Sequence, residues 1–60
     1  MGVRIICRDG IDFKDESLTR DDMKQKIQNA SNLFISVTEN GKVYDVHIPQ
    51  IIYFTEYEES

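Results

Sequence analysis

The one histidine of the chain lies where it could take part in proton transfer. His47 follows Asp45 by two residues, so on a strand both side chains would share a face. An imidazole beside a carboxylate is the pairing used in general acid–base catalysis. Neighbours of this kind are also common on ordinary protein surfaces. We therefore interpret both as surface or interface residues, and we expect the protein not to be an enzyme.

The single cysteine acts as a nucleophile only as a thiolate, which needs a neighbouring base. Cys7 follows Ile5 and Ile6 in an apolar segment, and this pattern predicts a small buried side chain instead. One cysteine also excludes an intrachain disulfide and a zinc site built from several cysteines. A reducing, cytoplasmic location fits this best.

Acidic residues are numerous, but their spacing does not predict a metal site. Adjacent carboxylates diverge around a helix, and no calcium-loop spacing or cluster of His and Glu accompanies them. The three glycines are isolated, so they form no phosphate-binding loop. We expect neither a metal nor a cofactor. The adjacent acidic pairs are Asp15–Glu16, Asp21–Asp22 and Glu58–Glu59.

The balance of charge disfavours a nucleic-acid partner. Seven Lys and Arg stand against eleven Asp and Glu, which gives a net charge of −4 and weakens non-specific attraction to phosphates. The cations are spread along the chain, and only Arg4 and Arg8 form a local basic pair, on one face of a predicted strand. The charge pattern therefore disfavours direct nucleic-acid binding, which would have to use this pair.

Aromatic residues alternate with acids near the end of the chain. Rings supply contact area and carboxylates attract a basic partner, so this composition is typical of a protein-binding surface. We expect Tyr53 to fill the core, because so small a core has few other large side chains. For Tyr57 the sequence favours a core position and a surface position equally. The expected partner-binding residues are Ile52, Phe54, Glu56, Tyr57 and Glu58.

The length of the chain allows one domain, which we place at residues 1–60. A core of this size is thin, and domains below ~70 residues usually need a disulfide, a metal or a partner subunit. No apolar run approaches the ~20 residues of a membrane span, so we expect no membrane partner.

The first half of the chain predicts a strand, a turn and a helix. Alternating apolar residues mark a strand over residues 3–8, and the turn pair Asp9-Gly10 leads to a short return strand over 11–14. A two-residue loop would mismatch the apolar faces, which favours a longer or bulged turn. Thr19 is the expected N-cap of a helix, with Leu18 and Met23 packing together across its first turn. Polar residues should end the helix near residue 30.

The strongest local pattern is a hairpin about Asn40-Gly41, a pair suited to a type I′ turn. Pairing residues 33–39 with 42–48 about this turn sets Ile35 opposite Val46 and Val37 opposite Tyr44. One face is then wholly apolar, and a one-residue slip would mix the two faces. The six apolar residues of that face are Leu33, Ile35, Val37, Tyr44, Val46 and Ile48.

Pro49 should interrupt the hairpin before a last strand over residues 51–57, followed by an acidic tail that frays. In this strand Ile51, Tyr53, Thr55 and Tyr57 alternate with Ile52, Phe54 and Glu56, so both faces start apolar. One helix covers only one side of a sheet. The surplus apolar face therefore indicates a partner or a second copy of the chain.

These patterns predict an α+β fold, in which an antiparallel sheet of three or four strands carries one helix on a face, in the order β(β)αβββ. A small curled barrel with a peripheral helix is the alternative. For function we expect a small non-enzymatic protein-interaction or regulatory module that associates with itself as a homodimer. A second possibility is an acidic inhibitor from a phage or mobile element that mimics nucleic acid, and a weak nucleic-acid-binding domain is a third.

Overall fold

The computed structural model describes residues 2–58, which form five strands and one α-helix in the order ββαβββ. The predicted α+β class and element order are confirmed. Glu59 and the predicted fraying of the tail's last residues lie outside the described range. The elements are β1 (Gly2–Cys7), β2 (Asp12–Asp15), α1 (Arg20–Gln28), β3 (Phe34–Glu39), β4 (Lys42–His47) and β5 (Ile51–Tyr57).

The strands form two antiparallel sheets. One has the order β2-β1-β5, with β1 in the centre, and the other is the β3-β4 hairpin. One turn of 3-10 helix, Ile48–Gln50, separates β4 from β5. Pro49 lies in this turn and has no N–H to continue a ladder, which explains why β5 leaves the hairpin and pairs with β1 instead. The two sheets adjoin where β2 contacts β3.

The connection between β1 and β2 is a wide turn, as the apolar pattern predicted. The amide of Gly10 donates to the Cys7 carbonyl (3.1 Å), and the amide of Cys7 donates to the Ile11 carbonyl (3.0 Å). This turn sets Ile5 opposite Phe13, so the apolar faces of the two strands match. The return strand runs from Asp12 to Asp15, one residue later than predicted.

The helix begins as its sequence predicts. The Thr19 hydroxyl accepts a hydrogen bond from the Asp22 amide, and the Asp22 carboxylate accepts one from the Thr19 amide, both at 3.1 Å. This reciprocal capping box satisfies two N–H groups that would otherwise have no partner. Leu18 and Met23 are both buried. The helix ends at Gln28, about two residues earlier than expected.

The hairpin adopts the predicted register. Ile35 pairs with Val46, Val37 with Tyr44 and Glu39 with Lys42. Three of the six apolar residues of its inner face are buried and Ile48 packs against them, while Tyr44 and Leu33 are exposed. Leu33 is 59% exposed because the apolar face continues past the end of the core. The buried three are Ile35, Val37 and Val46.

Replacing Gly41 with valine is expected to destabilise the protein through the backbone alone. Asn40 and Gly41 have φ angles of 53° and 80°, and an added Cβ at Gly41 would meet no atom within 4 Å. The remaining cost is the backbone strain of placing a β-branched residue in a left-handed conformation, which is about 1–3 kcal/mol. Urea denaturation would measure the loss, with Asn40→Gly as a control that keeps the turn. Equal stability of Gly41→Val and wild type would contradict the turn geometry.

The core lies between the two sheets and the helix. It consists of Val3, Ile5, Cys7, Leu18, Met23, Ile35, Val37 and Val46. Six of these residues come from strands and one, Met23, from the helix, so the core depends on α1 closing over β1 and β5, which it contacts. The prediction that Cys7 is a buried small side chain is confirmed, since it is 5% exposed.

A β-bulge changes which residues of β5 face the core. Ile6 pairs with Tyr53, but Cys7 pairs with Ile51, so Ile52 is an extra residue in the strand. Ile51 and Phe54 pack against the core, whereas Ile52 and Tyr53 are 58% and 55% exposed. The prediction that Tyr53 fills the core is therefore wrong. Pairing with Ile6 places Tyr53 on the side of the sheet away from the core.

Within residues 2–58 no helix is long and apolar enough to cross a bilayer. The nine residues of α1 are fewer than half of the roughly 20 that a span requires.

Candidate functional site

The exposed large apolar residues of β5, Ile52 and Tyr53, lie on the face of the three-stranded sheet that points away from the core. Ladder partners share a face, so Tyr53 lies beside Ile6, and Thr55 lies beside Arg4. Ile6 is half-buried, while Ile52 and Tyr53 are more than half exposed. We call Ile6, Ile52, Tyr53 and Thr55, together with the edge of β5 that faces away from β1, the β5 surface.

The structure divides the expected partner-binding residues into two groups. Ile52, Glu56 and Glu58 are exposed and available to a partner. Phe54 packs against the core, and Tyr53 takes its place on the outside. The half-buried Tyr57 lies on the outer face with its ring 5.6 Å from the Lys14 ammonium. Hydrophobic periodicity alone could not show that Tyr53 lies on the outside and Phe54 on the core side, because the pairing of β5 with β1 decides which side each residue faces.

The charges beside the β5 surface are largely compensated. Nε and Nη2 of Arg4 both donate to one carboxylate oxygen of Asp12, at 2.9 Å and 2.7 Å. Both side chains are partly exposed, so the ion pair adds little stability. It does occupy the Arg4 guanidinium, which leaves Arg8 as the remaining cation of the basic pair that the sequence suggested.

Charged side chains lie at both ends of β5. Glu56 and Glu58 lie at its C-terminal end and are exposed. At its N-terminal end the Arg8 amide donates to the Gln50 carbonyl (2.8 Å), which places the exposed Arg8 beside the start of the strand. Asp9 lines a cleft together with Gln50 at the N-terminal end, and Lys14 lies over the Tyr57 ring at the C-terminal end, so each end of β5 carries both signs of charge.

Asp15 is a buried carboxylate that joins the two sheets. Its Oδ1 accepts hydrogen bonds from the Ser17 amide (2.9 Å) and hydroxyl (2.5 Å), and its Oδ2 accepts one from the Thr38 amide in β3 (2.8 Å). Burial alone would raise the pKa of Asp15, but these hydrogen bonds and the charge of Lys26 together hold that pKa below its usual value. Sequence reasoning missed this role. The spacing of Asp15 and Ser17, typical of an Asx turn, is the one local sign of it.

An open polar cleft of about 430 Å³ lies beside this junction. Asp15 uses both of its oxygens for hydrogen bonds within the protein, so the cleft contains no spare buried carboxylate. The acids at its rim, Glu16 and Glu39, belong to the connection after β2 and to the end of β3. This arrangement serves to hold the two sheets together.

The residues that could have formed a catalytic pair have other partners. The His47 ring packs on Phe34 with centroids 5.0 Å apart, and the Asp45 carboxylate accepts a hydrogen bond from the Ser36 hydroxyl (3.1 Å). With Cys7, both line a small cleft of about 160 Å³. Burial raises the pKa of the Cys7 thiol, and the charge of Asp9 raises it further, so the thiolate needed for nucleophilic chemistry is disfavoured.

Cys7 is expected to react slowly with iodoacetamide in the folded protein. The thiol is 5% exposed and its pKa is raised, so both access and the thiolate fraction are reduced. Mass spectrometry of timed samples at neutral pH would follow the alkylation. The same reaction in concentrated urea serves as the control and should be much faster. Equal rates in both conditions would contradict the burial of Cys7.

Among residues 2–58 no three His, Cys, Asp or Glu side chains are grouped so that they could hold a metal ion. Comparison of the chain with protein-family models, with curated proteins and with solved structures found no match. The candidate site is therefore interpreted from its own residues: the β5 surface places two large apolar side chains, Ile52 and Tyr53, side by side and more than half exposed on an edge strand.

Proposed function

We propose that the protein is a small, non-enzymatic interaction or regulatory module that associates with itself through the β5 surface. The exposure of Ile52 and Tyr53, side by side on an edge strand, carries this proposal. Adjacent exposed apolar residues are characteristic of protein contact sites, and tyrosine is enriched in them. Burying the two side chains against a second copy would also add apolar area to a thin core.

Self-association is supported over binding to phosphates by the charges near the site. Arg4 is paired with Asp12, and the chain is acidic overall, so direct nucleic-acid binding gains no support from this face. Mimicry of nucleic acid needs regularly spaced exposed carboxylates. Asp15 is buried and Asp12 is paired, which removes two acids from any such array. The free, buried thiol of Cys7 fits the reducing interior of a cell, and we propose a cytoplasmic location.

Sedimentation equilibrium at several protein concentrations tests this proposal. The wild-type mass is expected to rise from that of a monomer to that of a dimer, and Tyr53→Lys should remain monomeric because it places a charge in the contact. Val43→Lys is the matched control, since Val43 is 68% exposed on an edge strand of the other sheet. A wild-type monomer at every concentration would contradict self-association. Loss of the dimer in Val43→Lys alone would move the contact to the hairpin.

A further inference from the structure

The turn of the hairpin joins an asparagine to a glycine at an exposed site. Asn40 and Gly41 are both solvent-exposed. The backbone nitrogen that follows an asparagine can attack the side-chain carbonyl, and asparagine is a labile residue for this reason. Glycine in the following position has no Cβ to obstruct the attack. Of the three asparagines in the chain, Asn40 is the one followed by glycine.

The other two asparagines are held by the fold. The Asn32 carboxamide oxygen accepts a hydrogen bond from the Phe34 amide (2.9 Å). Asn29 is the C-cap of α1, and the backbone nitrogen that follows it, in Ala30, donates to the Ile27 carbonyl (3.4 Å). In each case one of the two groups that would have to react already has a partner.

The second turn that ends in glycine, Asp9-Gly10, is held at both reacting groups. The Asp9 carboxylate accepts a hydrogen bond from the Ile11 amide (3.1 Å), and the Gly10 amide donates to the Cys7 carbonyl (3.1 Å). An ionised carboxylate is also a poor target for a nucleophile. The fold therefore protects this turn more than it protects Asn40-Gly41.

The native hairpin turn slows the reaction at Asn40 without blocking it. The φ angle of Asn40 is 53°, in the left-handed region where ψ is about +47°. With that ψ the Gly41 nitrogen lies across the Cα–C bond from Cβ, whereas ring closure needs the two on the same side. The ladder closes at Glu39 and Lys42, so the Gly41 amide is outside it. Opening of this exposed tip needs less free energy than unfolding of the core.

We propose that Asn40 is the principal deamidation site of the protein and that opening of the hairpin tip controls the rate. The Gly41 nitrogen forms a bond to Cγ of Asn40 and loses its proton, and the Cγ–Nδ2 bond breaks to release ammonia. Water then opens the five-membered imide at either of its carbonyls. The products are aspartate and isoaspartate at position 40. This inference is independent of the proposed self-association.

The isoaspartyl product is expected to weaken the hairpin. Its side-chain CH2 becomes part of the main chain, which lengthens a two-residue loop that sets the strand register. β3 of this hairpin supplies Ile35 and Val37 to the core and the Thr38 amide to Asp15. The aspartyl product should keep the turn, because Asp-Gly also suits a type I′ turn.

Peptide mass spectrometry of protein incubated at mildly alkaline pH tests the site and the rate. Asn40 should convert faster than Asn29 and Asn32, and about 10–100-fold more slowly in the folded protein than in guanidinium chloride, as for a local opening. Asn40→Gly, the control that keeps the turn, should lose the fast-forming acidic species. Faster conversion of another asparagine, or the same acidic species in Asn40→Gly, would overturn the site. Equal rates in both solvents, or slowing as large as the folding equilibrium constant, would overturn opening at the tip.

Urea denaturation of the separated products tests the effect on the hairpin. The isoaspartyl form, isolated by chromatography, should unfold at lower urea concentration than wild type. Asn40→Asp, which supplies the same charge on a normal backbone, should unfold close to wild type. An isoaspartyl form as stable as wild type would overturn the weakening. Equal losses in both would assign the effect to the charge and overturn the role of the lengthened loop.

Discussion

Replacing Met23 with alanine is expected to remove most of the stability of the fold. Met23 is the one fully buried side chain that the helix contributes to the core. Truncation of a buried methionine to alanine costs about 2–5 kcal/mol. A chain of this length has about 3–9 kcal/mol in total at the usual stability per residue. The variant should therefore unfold at much lower urea concentration than wild type, as followed by circular dichroism.

The control for Met23→Ala is Lys24→Ala, which changes the next residue of the same helix but an exposed one. It should stay within about 0.5 kcal/mol of wild type, as surface substitutions usually do. Equal stability of both variants and wild type would mean that α1 does not close the core.

Replacing Asp15 with asparagine is expected to loosen the junction between the two sheets. An amide of the same shape keeps one oxygen but turns an NH2 group toward donors from Ser17 or Thr38. At least one hydrogen bond to a charged group is lost and one buried donor is left unsatisfied, at a cost of about 2–3 kcal/mol. Urea denaturation at neutral pH would measure the difference.

The same substitution should change how stability depends on pH. The folded pKa of Asp15 lies below its usual value, which is about 3.9 in an unfolded chain. The carboxylate therefore contributes stability that is fully present above that value and is lost as pH falls through the folded pKa. The gap between wild type and Asp15→Asn should narrow below about pH 4.

Asp12→Asn is the control for both measurements, because it removes a partly exposed carboxylate whose ion pair adds little stability. It should cost less than Asp15→Asn at neutral pH. A constant gap between wild type and Asp15→Asn from neutral to acidic pH would show that the buried carboxylate does not titrate as the structure requires.

Features set by nearby residues could be predicted from the sequence. The hairpin register follows from Asn40-Gly41 and the alternation on either side of it, and the helix start follows from Thr19 and Asp22. In these segments the interacting groups are close in sequence, so propensity, turn chemistry and apolar pattern act on the same few residues. The width of the β1–β2 turn was predictable for the same reason.

Features that depend on distant pairing could not be predicted. The bulge at Ile52 arises from the register of β5 on β1, which are some fifty residues apart in the chain. Gly2 is needed because its Cα lies against the Asp15 carbonyl, so that an added Cβ would be only 2.6 Å from that oxygen. The Asp15 bond to Thr38 likewise joins residues from two sheets. Hydrophobic periodicity shows which residues are buried and not which strands meet.

Which side chains of the last strand are exposed was predicted only in part. The last strand was expected to carry a surplus apolar face, and Ile52 is exposed as part of it. Tyr53 and Phe54 exchanged roles because pairing with Ile6 and Ile5 decides their sides.

Amide hydrogen exchange at high and low protein concentration tests self-association through β5 most directly. Peptides that cover residues 51–57 are expected to exchange more slowly in the concentrated sample, while those covering the β3-β4 hairpin should exchange at the same rate in both. Exchange of β5 that does not depend on concentration, or slowing confined to the hairpin, would contradict the account.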